Sequence, residues 1–246
     1  MSNPHIVKSF DQELKGLTNN TKVLGEFAGT QFADSVKALL HGDWSLAQRV
    51  IDQDRRLDAL RTELSTAAAT VIARRQPLAT DLDEVLATFR ISEDLERIGD
   101  LAKNIAKRAT AVASASFPPD IVTRLDRLAA LASDHLKGAL ETYIARDAER
   151  ALIVRTQDEM IDALYTEIFT DLVSRLSVDS SQAIGFVHLL FCAKNIERIG
   201  DHATHIAEAA YLIAAGHRPG PERRRLDESS THTGSPSKSE LRDGFS

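Results

Sequence analysis

The sequence predicts an all-α protein, a tandem duplication of a three-helix bundle with six helices in total, on three observations. Its 246 residues are rich in Ala, Leu, Glu, Asp and Arg, and only 5 % are aromatic, a composition of mostly good helix formers. Apolar residues recur at three- and four-residue steps, the period of an amphipathic helix. One acidic motif occurs twice, at matching positions of the two halves. These observations together favour duplicated helical bundles.

Six amphipathic stretches follow one another along the chain. Gly42 and Asp43 end the first stretch and offer an N-cap to the second, while the run 117–120, Phe-Pro-Pro-Asp, is the clearest break between helices. From residue 217 onward Pro, Gly, Ser and Arg dominate, which predicts a disordered tail. The predicted helices cover approximately residues 2–41, 43–75, 81–114, 120–145, 147–176 and 179–215.

The two halves align with each other. Residues 95–109 and 196–210 share 9 identities in 15 at an offset of 101, and residues 54–60 and 158–164 share 4 in 7 at an offset of 104. A longer second connection in the first half explains the difference of three. We therefore divide the chain into a first repeat at 1–116, a second repeat at 117–216 and a tail at 217–246.

Composition excludes several classes of protein. Net charge is −6 and no basic run is interleaved with aromatic residues, so nucleic-acid binding is not expected. The single cysteine, Cys192, rules out an intrachain disulfide and is expected to be a buried, unreactive thiol. The polar N-terminus lacks a signal-peptide pattern, and the apolar run 183–193 is too short to span a bilayer. We expect a cytoplasmic protein.

Each half carries two pairs of acidic residues spaced four apart on its second and third helices. Residues i and i+4 lie on one face of a helix, where like charges are destabilising. If the two helices pack antiparallel, four carboxylates converge, and a bound cation would offset their repulsion. The alternative is an ordinary solvated acidic surface. The eight candidate metal ligands are Asp54, Asp58, Glu96, Asp100, Asp158, Asp162, Glu197 and Asp201.

Carboxylate ligands favour hard cations such as Mg²⁺, Mn²⁺, Ca²⁺ or iron over zinc, without excluding zinc. Gly99 and Gly200 lie beside the acids, where a small residue permits close approach of an ion or simply of another helix. Asn104 and His205 lie one turn further on and are candidate additional ligands. His202 is expected to point about 100° away, and a further histidine, His188, to lie in the core.

The stretches 94–107 and 195–208, each containing Glu-Arg-Ile-Gly-Asp, resemble the twin signature of the PhoU family. The resemblance covers roughly residues 5–215. It implies two tandem three-helix bundles, with metal ions (Mg, Mn, Fe or Zn) held by E(D)xxxD motifs that match the eight acids above. It further implies a homodimer that is accessory to the Pst phosphate transporter and restrains the phosphate-starvation response. The partners implied are the transporter ATPase and a phosphate-responsive sensor histidine kinase, which would bring the protein to the membrane only indirectly.

The second repeat departs from the first in two places, since Asn195 replaces Asp94 and His205 replaces Asn104. Equal metal occupancy of the two repeats is therefore in question. Arg97 and Arg198 lie beside the acids and suit either a partner's carboxylate or, as we favour, a salt bridge within the bundle.

We predict a regulatory adaptor and not an enzyme. Helical di-iron enzymes use Glu-x-x-His, and none of the eight histidines follows a glutamate at that spacing. The alternatives are a metal-dependent carboxylate-bridged enzyme or metal store, and a partner of a low-affinity phosphate permease.

Overall fold

The computed structural model describes residues 4–178 and 182–220, with side chains for 9–176 and 182–220, and its regular elements there are all α-helices. The predicted all-α class is confirmed, and most predicted boundaries fall within three residues of the observed ones. The helices are α1 Pro4–His41, α2 Trp44–Arg75, α3 Thr80–Ala111, α4 Pro119–Ala145, α5 Ala148–Thr156, α6 Asp158–Val178 and α7 Ala183–Ala215.

Aspartate caps begin the second helix of each repeat. Asp43 accepts a hydrogen bond from the Leu46 amide at 2.9 Å, and Asp147 accepts one from the Arg150 amide at 3.0 Å. Gly42, between α1 and α2, has φ of +64°, a conformation that glycine adopts without strain. The Gly-Asp pair therefore ends one helix and begins the next, as its sequence predicts.

The predicted fifth helix, 147–176, is interrupted at Gln157. Here the Gln157 amide donates to Val154 at 3.0 Å, and the Met160 amide donates to Gln157 at 3.2 Å. Both bonds run from residue i to residue i−3, the pattern of a 3₁₀ turn, where an α-helix has bonds to residue i−4. This tighter turn divides the predicted helix into α5 and α6. The interruption lies immediately before Asp158, one of the candidate metal ligands.

One hydrophobic core runs through both repeats. Within the first repeat α3 packs on α1 and α2, and within the second α7 packs on α4, α5 and α6. The two repeats meet mainly where α3 packs on α7. That packing is antiparallel, since Asp94 near the middle of α3 contacts His202, while Arg108 near its end contacts His188. Both helices carry buried isoleucines that belong to this common core: Ile91, Ile98 and Ile105 on α3, and Ile196, Ile199 and Ile206 on α7.

The predicted division at 116/117 falls in the connection between α3 and α4. It remains a prediction, because α3 and α7 share one core across it. Of the predicted tail, residues 221–246 lie outside the described residues. Across the described ranges, no helix combines the length and the apolar character that crossing a membrane requires.

Candidate carboxylate metal centres

The first-repeat cluster (Asp54, Asp58, Glu96 and Asp100) is organised around the ammonium group of Lys103. Lys103 Nζ donates to Asp54 Oδ2 and to Asp100 Oδ1, both at 2.7 Å. Burial alone would lower the pKa of Lys103, but the hydrogen bonds to Asp100 and Asp54 outweigh it and raise that pKa. A protonated lysine therefore joins α2 to α3 where the two acidic pairs meet.

Glu96 and Asp58 complete this cluster. The pKa of Glu96 is raised, first by burial and then by the charge of Asp100, and Asp58 adds a smaller contribution in the same direction. Arg97 and Arg61 act in the opposite sense. Glu96 is therefore close enough to Asp100 and Asp58 to feel their charges, while Asp54 is joined to Asp100 through Lys103.

The two arginines of the repeated motif are exposed. Arg97 lies 3.6 Å from Glu96 Oε2 and 3.6 Å from Asp100 Oδ2, both on its own helix. For Arg97, these contacts favour a salt bridge within the bundle over binding to a carboxylate of a partner protein. The Arg198 side chain is exposed on α7.

The second-repeat cluster (Asp158, Asp162, Glu197 and Asp201) lies deeper. Asp158 is 1 % exposed, Asp162 3 % and Glu197 4 %, while Asp201 is half-buried. Lys194 Nζ donates to Glu197 Oε1 at 2.8 Å. Three carboxylates in the interior require cationic or hydrogen-bonding partners, because burying an unpaired charge costs several kcal/mol.

A histidine that the sequence analysis did not single out lies beside this cluster. His135 of α4 is 1 % exposed, and its Nε2 lies 2.8 Å from Thr204 Oγ1 and 3.9 Å from Asp158 Oδ1. The offset of 104 aligns His135 with Gln31 of α1, which is 2 % exposed and also lies beside its repeat's motif glycine. A buried polar residue at matching positions of the two first helices was the signal that could have found it.

The motif glycines allow the second helix of each repeat to approach the third. A Cβ on Gly200 would lie 3.0 Å from Asp158 Oδ1, and a Cβ on Gly99 would lie 2.8 Å from Leu57 Cδ1. A Cβ at either position would force the facing side chain to shift, so glycine favours close packing in both repeats. In the second repeat the packed atom is itself a candidate ligand.

The donor types of both clusters suit a hard cation, because four carboxylates on two helices offer the oxygen ligands that such ions prefer. In the first repeat the Lys103 ammonium already occupies the point where Asp54 and Asp100 converge, so this position selects a cation. A metal ion would compete with Lys103 there. In the second repeat the aligned residue is Thr204, and the lysine of the cluster is Lys194, on the other side of Glu197.

The remaining histidines differ from expectation. His202 and His205 both contact Asp94 of the first repeat, at 2.8 and 3.3 Å between Nδ1 and Oδ1. The interpretation of His188 as a core histidine was wrong. It is half-buried, and Arg108 Nη1 lies 3.4 Å from its Nδ1 at the other end of the α3–α7 contact.

Cys192 behaves as predicted. The thiol is completely buried, and burial raises its pKa to about 12. A thiol in that state is a packing element and not a nucleophile or metal ligand.

The fold and the acidic pairs place the protein in one class: duplicated helical bundles that carry four acidic residues on two helices of each repeat. The PhoU domain profile matches residues 21–109 and 125–210, once in each repeat. The chain belongs to the PhoU family, which confirms the resemblance.

Relatives match over nearly the whole chain. It is 47 % identical over 231 residues to the phosphate-specific transport system accessory protein PhoU homolog of Rhizobium meliloti, covering 94 % of this chain and 98 % of that protein. It is 30 % identical over 214 residues to phosphate-specific transport system accessory protein PhoU of Escherichia coli, covering 87 % and 88 %. The crystal structure of PhoU from Pseudomonas aeruginosa superposes with a TM-score of 0.81 at 28 % identity, covering 85 % of this chain and 100 % of that one.

Proposed function

We propose that the protein is an accessory regulator of the Pst phosphate transporter that keeps the phosphate-starvation response silent when phosphate is plentiful. The similarity to the Rhizobium meliloti protein, 47 % over nearly both full lengths, carries this proposal. The partners would be the transporter ATPase and a phosphate-responsive sensor histidine kinase. Both contacts belong on the cytoplasmic side of the membrane, so the proposed location is the cytoplasm.

The proposal assigns the carboxylate clusters to metal binding. Mg, Mn, Fe or Zn would be held by Asp54, Asp58, Glu96 and Asp100 in the first repeat, and by Asp158, Asp162, Glu197 and Asp201 in the second. A bound cation would neutralise the repelling carboxylates and hold the second and third helices of its repeat at a fixed distance. The role is structural and regulatory, without turnover.

The resemblance also leads us to propose a homodimer. Sedimentation equilibrium of the purified chain, with and without Mn²⁺, measures the mass of the assembly directly. A monomer under both conditions would contradict this part of the proposal.

The function is tested in cells with a promoter that responds to phosphate starvation. Deleting the gene should switch the reporter on in phosphate-rich medium, and the wild-type gene should silence it again. A variant that replaces Glu96, Asp100, Glu197 and Asp201 by Ala should fail to silence it. A reporter that stays off in the deletion strain would contradict the regulatory role.

The matched control removes four exposed acids that are not members of either cluster, Asp11, Glu63, Glu149 and Glu167. This control changes the net charge by the same amount, so it should silence the reporter like wild type. Immunoblots establish equal abundance of the variants. If both quadruple variants silence the reporter, the carboxylate clusters are not required for regulation.

A further inference from the structure

Asp94, His202 and His205 form a separate group of potential ligands, the Asp94 triad, where α3 of the first repeat packs on α7 of the second. One ligand atom from each residue can be chosen so that all three lie within 4.8 Å of one another. We propose that the Asp94 triad is a third metal site, suited to zinc and similar divalent ions, that fastens the two repeats together. It differs from the carboxylate clusters in its residues, its chemistry and its position.

The distances within the triad are close to those of a coordination sphere. Asp94 Oδ1 lies 2.8 Å from His202 Nδ1 and 3.3 Å from His205 Nδ1. Ligands bound tetrahedrally to zinc at 2.0–2.2 Å lie roughly 3.3 Å from one another. Both separations therefore lie within about 0.5 Å of that spacing, and the chosen nitrogens of the two imidazoles lie within 4.8 Å of each other.

The donor set selects a different class of ion from the carboxylate clusters. Two imidazoles and one carboxylate suit Zn²⁺, Co²⁺, Ni²⁺ or Cu²⁺, whereas all-oxygen sites suit Mg²⁺, Ca²⁺ and Mn²⁺. Three protein ligands leave at least one coordination position for water. The two kinds of site therefore differ in the ion that they prefer, so Mg²⁺ in excess can occupy the carboxylates while Zn²⁺ is titrated into the triad.

The triad is held in place and is also accessible. The side chains of Asp94 and His202 are 16 % and 17 % exposed, while His205 is 49 % exposed. Asp94 and His205 line a cleft of about 440 Å³ together with Glu93 and Glu208, which attract cations, and with Arg90 and Arg218, which oppose them. An ion can enter from solvent and meet two ligands that are already fixed by packing.

The internal duplication supplies a comparison within the molecule. At an offset of 101 the residues that correspond to Asp94, His202 and His205 are Asn195, Leu101 and Asn104. The antiparallel contact of α3 with α7 places this second set towards the opposite end of the same contact. Asparagine and leucine are sufficient there, so helix packing alone does not require the Asp94 triad.

The test uses the full chain, stripped with EDTA, dialysed and then saturated with Mg²⁺ to occupy the carboxylate clusters. Zn²⁺ titrated by calorimetry should bind with one equivalent per chain, and Co²⁺ should give the visible absorption of a histidine-ligated ion. His205→Asn inserts the residue found at the matching position of the first repeat. Losing a partner that merely orients a ligand costs about 10–100-fold in metal affinity, and losing the ligand should cost at least as much.

Two control variants make the measurement specific. His217→Asn removes an exposed histidine outside the triad, and Glu63→Gln removes an exposed acid that belongs to none of the three groups. Both should bind one equivalent of Zn²⁺ with wild-type affinity. Equal affinity in His205→Asn and wild type, or no zinc binding in the presence of Mg²⁺, overturns the proposal and leaves the triad as a hydrogen-bonded contact.

A measurement on the wild-type chain avoids any dependence on variant folding. In a ¹H–¹⁵N spectrum of the imidazole rings, one equivalent of Zn²⁺ should shift the nitrogen resonances of His202 and His205 and leave those of His188 unchanged. Shifts confined to other histidines would overturn the proposal. Neither this spectrum nor the titration depends on phosphate regulation, so the result is independent of the proposed function.

Discussion

The two repeats carry the same four acids, yet they place them in different surroundings. In the first-repeat cluster Asp58 is exposed and Asp54 and Asp100 share the ammonium of Lys103. In the second-repeat cluster Asp158, Asp162 and Glu197 are each less than 5 % exposed. The same four acids are therefore reached by different amounts of water in the two repeats.

The local backbone differs at the same place. α2 runs unbroken through Asp54, whereas the helix of the second repeat is interrupted at Gln157, immediately before Asp158. The neighbouring residues differ as well. In the alignment of the two repeats, His135 corresponds to Gln31 and Thr204 corresponds to Lys103. The first-repeat cluster carries a cation of its own at the centre, and the second-repeat cluster has its lysine at one side.

The different exposure of the two clusters should change how strongly their carboxylates repel one another. Repulsion among carboxylates is weak where water surrounds them and strong where water is excluded. A divalent ion should therefore stabilise the second-repeat cluster more than the first. In the first repeat it also has to displace the Lys103 ammonium.

The largest expected effect is on stabilisation by metal. Adding Mn²⁺ to the metal-free chain should raise its melting temperature, and an ion at about 100 times its dissociation constant contributes about 2.7 kcal/mol. Glu197→Gln/Asp201→Asn should remove most of that increase, because it disables the buried cluster. Glu96→Gln/Asp100→Asn, the matched change in the first repeat, should remove less. Differential scanning calorimetry of the three proteins makes the comparison.

The reverse order, with the larger loss in the first-repeat variant, would contradict the link between burial and metal dependence. Mn²⁺ is chosen because it prefers oxygen ligands, so the Asp94 triad contributes little to the measurement. Far-ultraviolet circular dichroism of the metal-free variants establishes that both retain their helices.

A medium effect is expected from removing the internal cation of the first repeat. Lys103→Met should destabilise the metal-free chain by about 2 kcal/mol, because two charge-assisted hydrogen bonds are lost and Asp54 and Asp100 face each other. The same variant should bind Mn²⁺ more tightly than wild type, since no ammonium competes. Urea unfolding and a Mn²⁺ titration measure the two effects.

Lys107→Met is the control, because Lys107 is exposed one turn further along α3. It should alter neither quantity appreciably. If Lys103→Met leaves Mn²⁺ affinity unchanged, the lysine does not occupy the position that a metal would take.

Local sequence signals were sufficient to predict the all-α class, most of the helices and the cap at Gly42-Asp43. Helix period, the Gly42-Asp43 pair and the 101-residue offset each depend on residues that are close in sequence or repeated. The differences between the clusters are set instead by tertiary packing. That Lys103 reaches Asp54 across two helices, or that Asp94 meets histidines of the other repeat, depends on the register in which α3 packs on its neighbours.

The interruption at Gln157 lacked a local signal, since neither proline nor glycine lies between Asp147 and Arg175. His135 is an intermediate case. Its alignment with Gln31 is visible in the sequence, but its proximity to Asp158 follows only from the packing of α4 on α6 and α7.

The smallest expected effect concerns ion pairs that join the second helix of each repeat to the first. Arg75 of α2 donates to Glu13 of α1 at 2.8 Å, while Asp171 of α6 accepts hydrogen bonds from Arg124 of α4 and from Arg175. Burial raises the pKa of Asp171, but the hydrogen bonds from Arg175 and Arg124 outweigh it, so its pKa lies below the ordinary value. The hydrogen bond from Arg75 likewise lowers the pKa of Glu13.

A carboxyl group whose pKa is lowered by folding adds stability above its ordinary pKa, near 4, and that stability is lost as the pH falls through the lowered value. Asp171→Asn should therefore reduce stability at pH 7 by at most about 1 kcal/mol, and the difference from wild type should shrink as the pH falls below the ordinary carboxyl pKa. Glu13→Gln should follow the same course with a smaller amplitude, because Glu13 has a single arginine partner for its hydrogen bonds where Asp171 has two. Thermal melts between pH 3 and pH 7, with exposed Glu63→Gln as control, test this order. A difference that persists unchanged at pH 3 would mean that Asp171 stabilises the second repeat by packing and not by its charge.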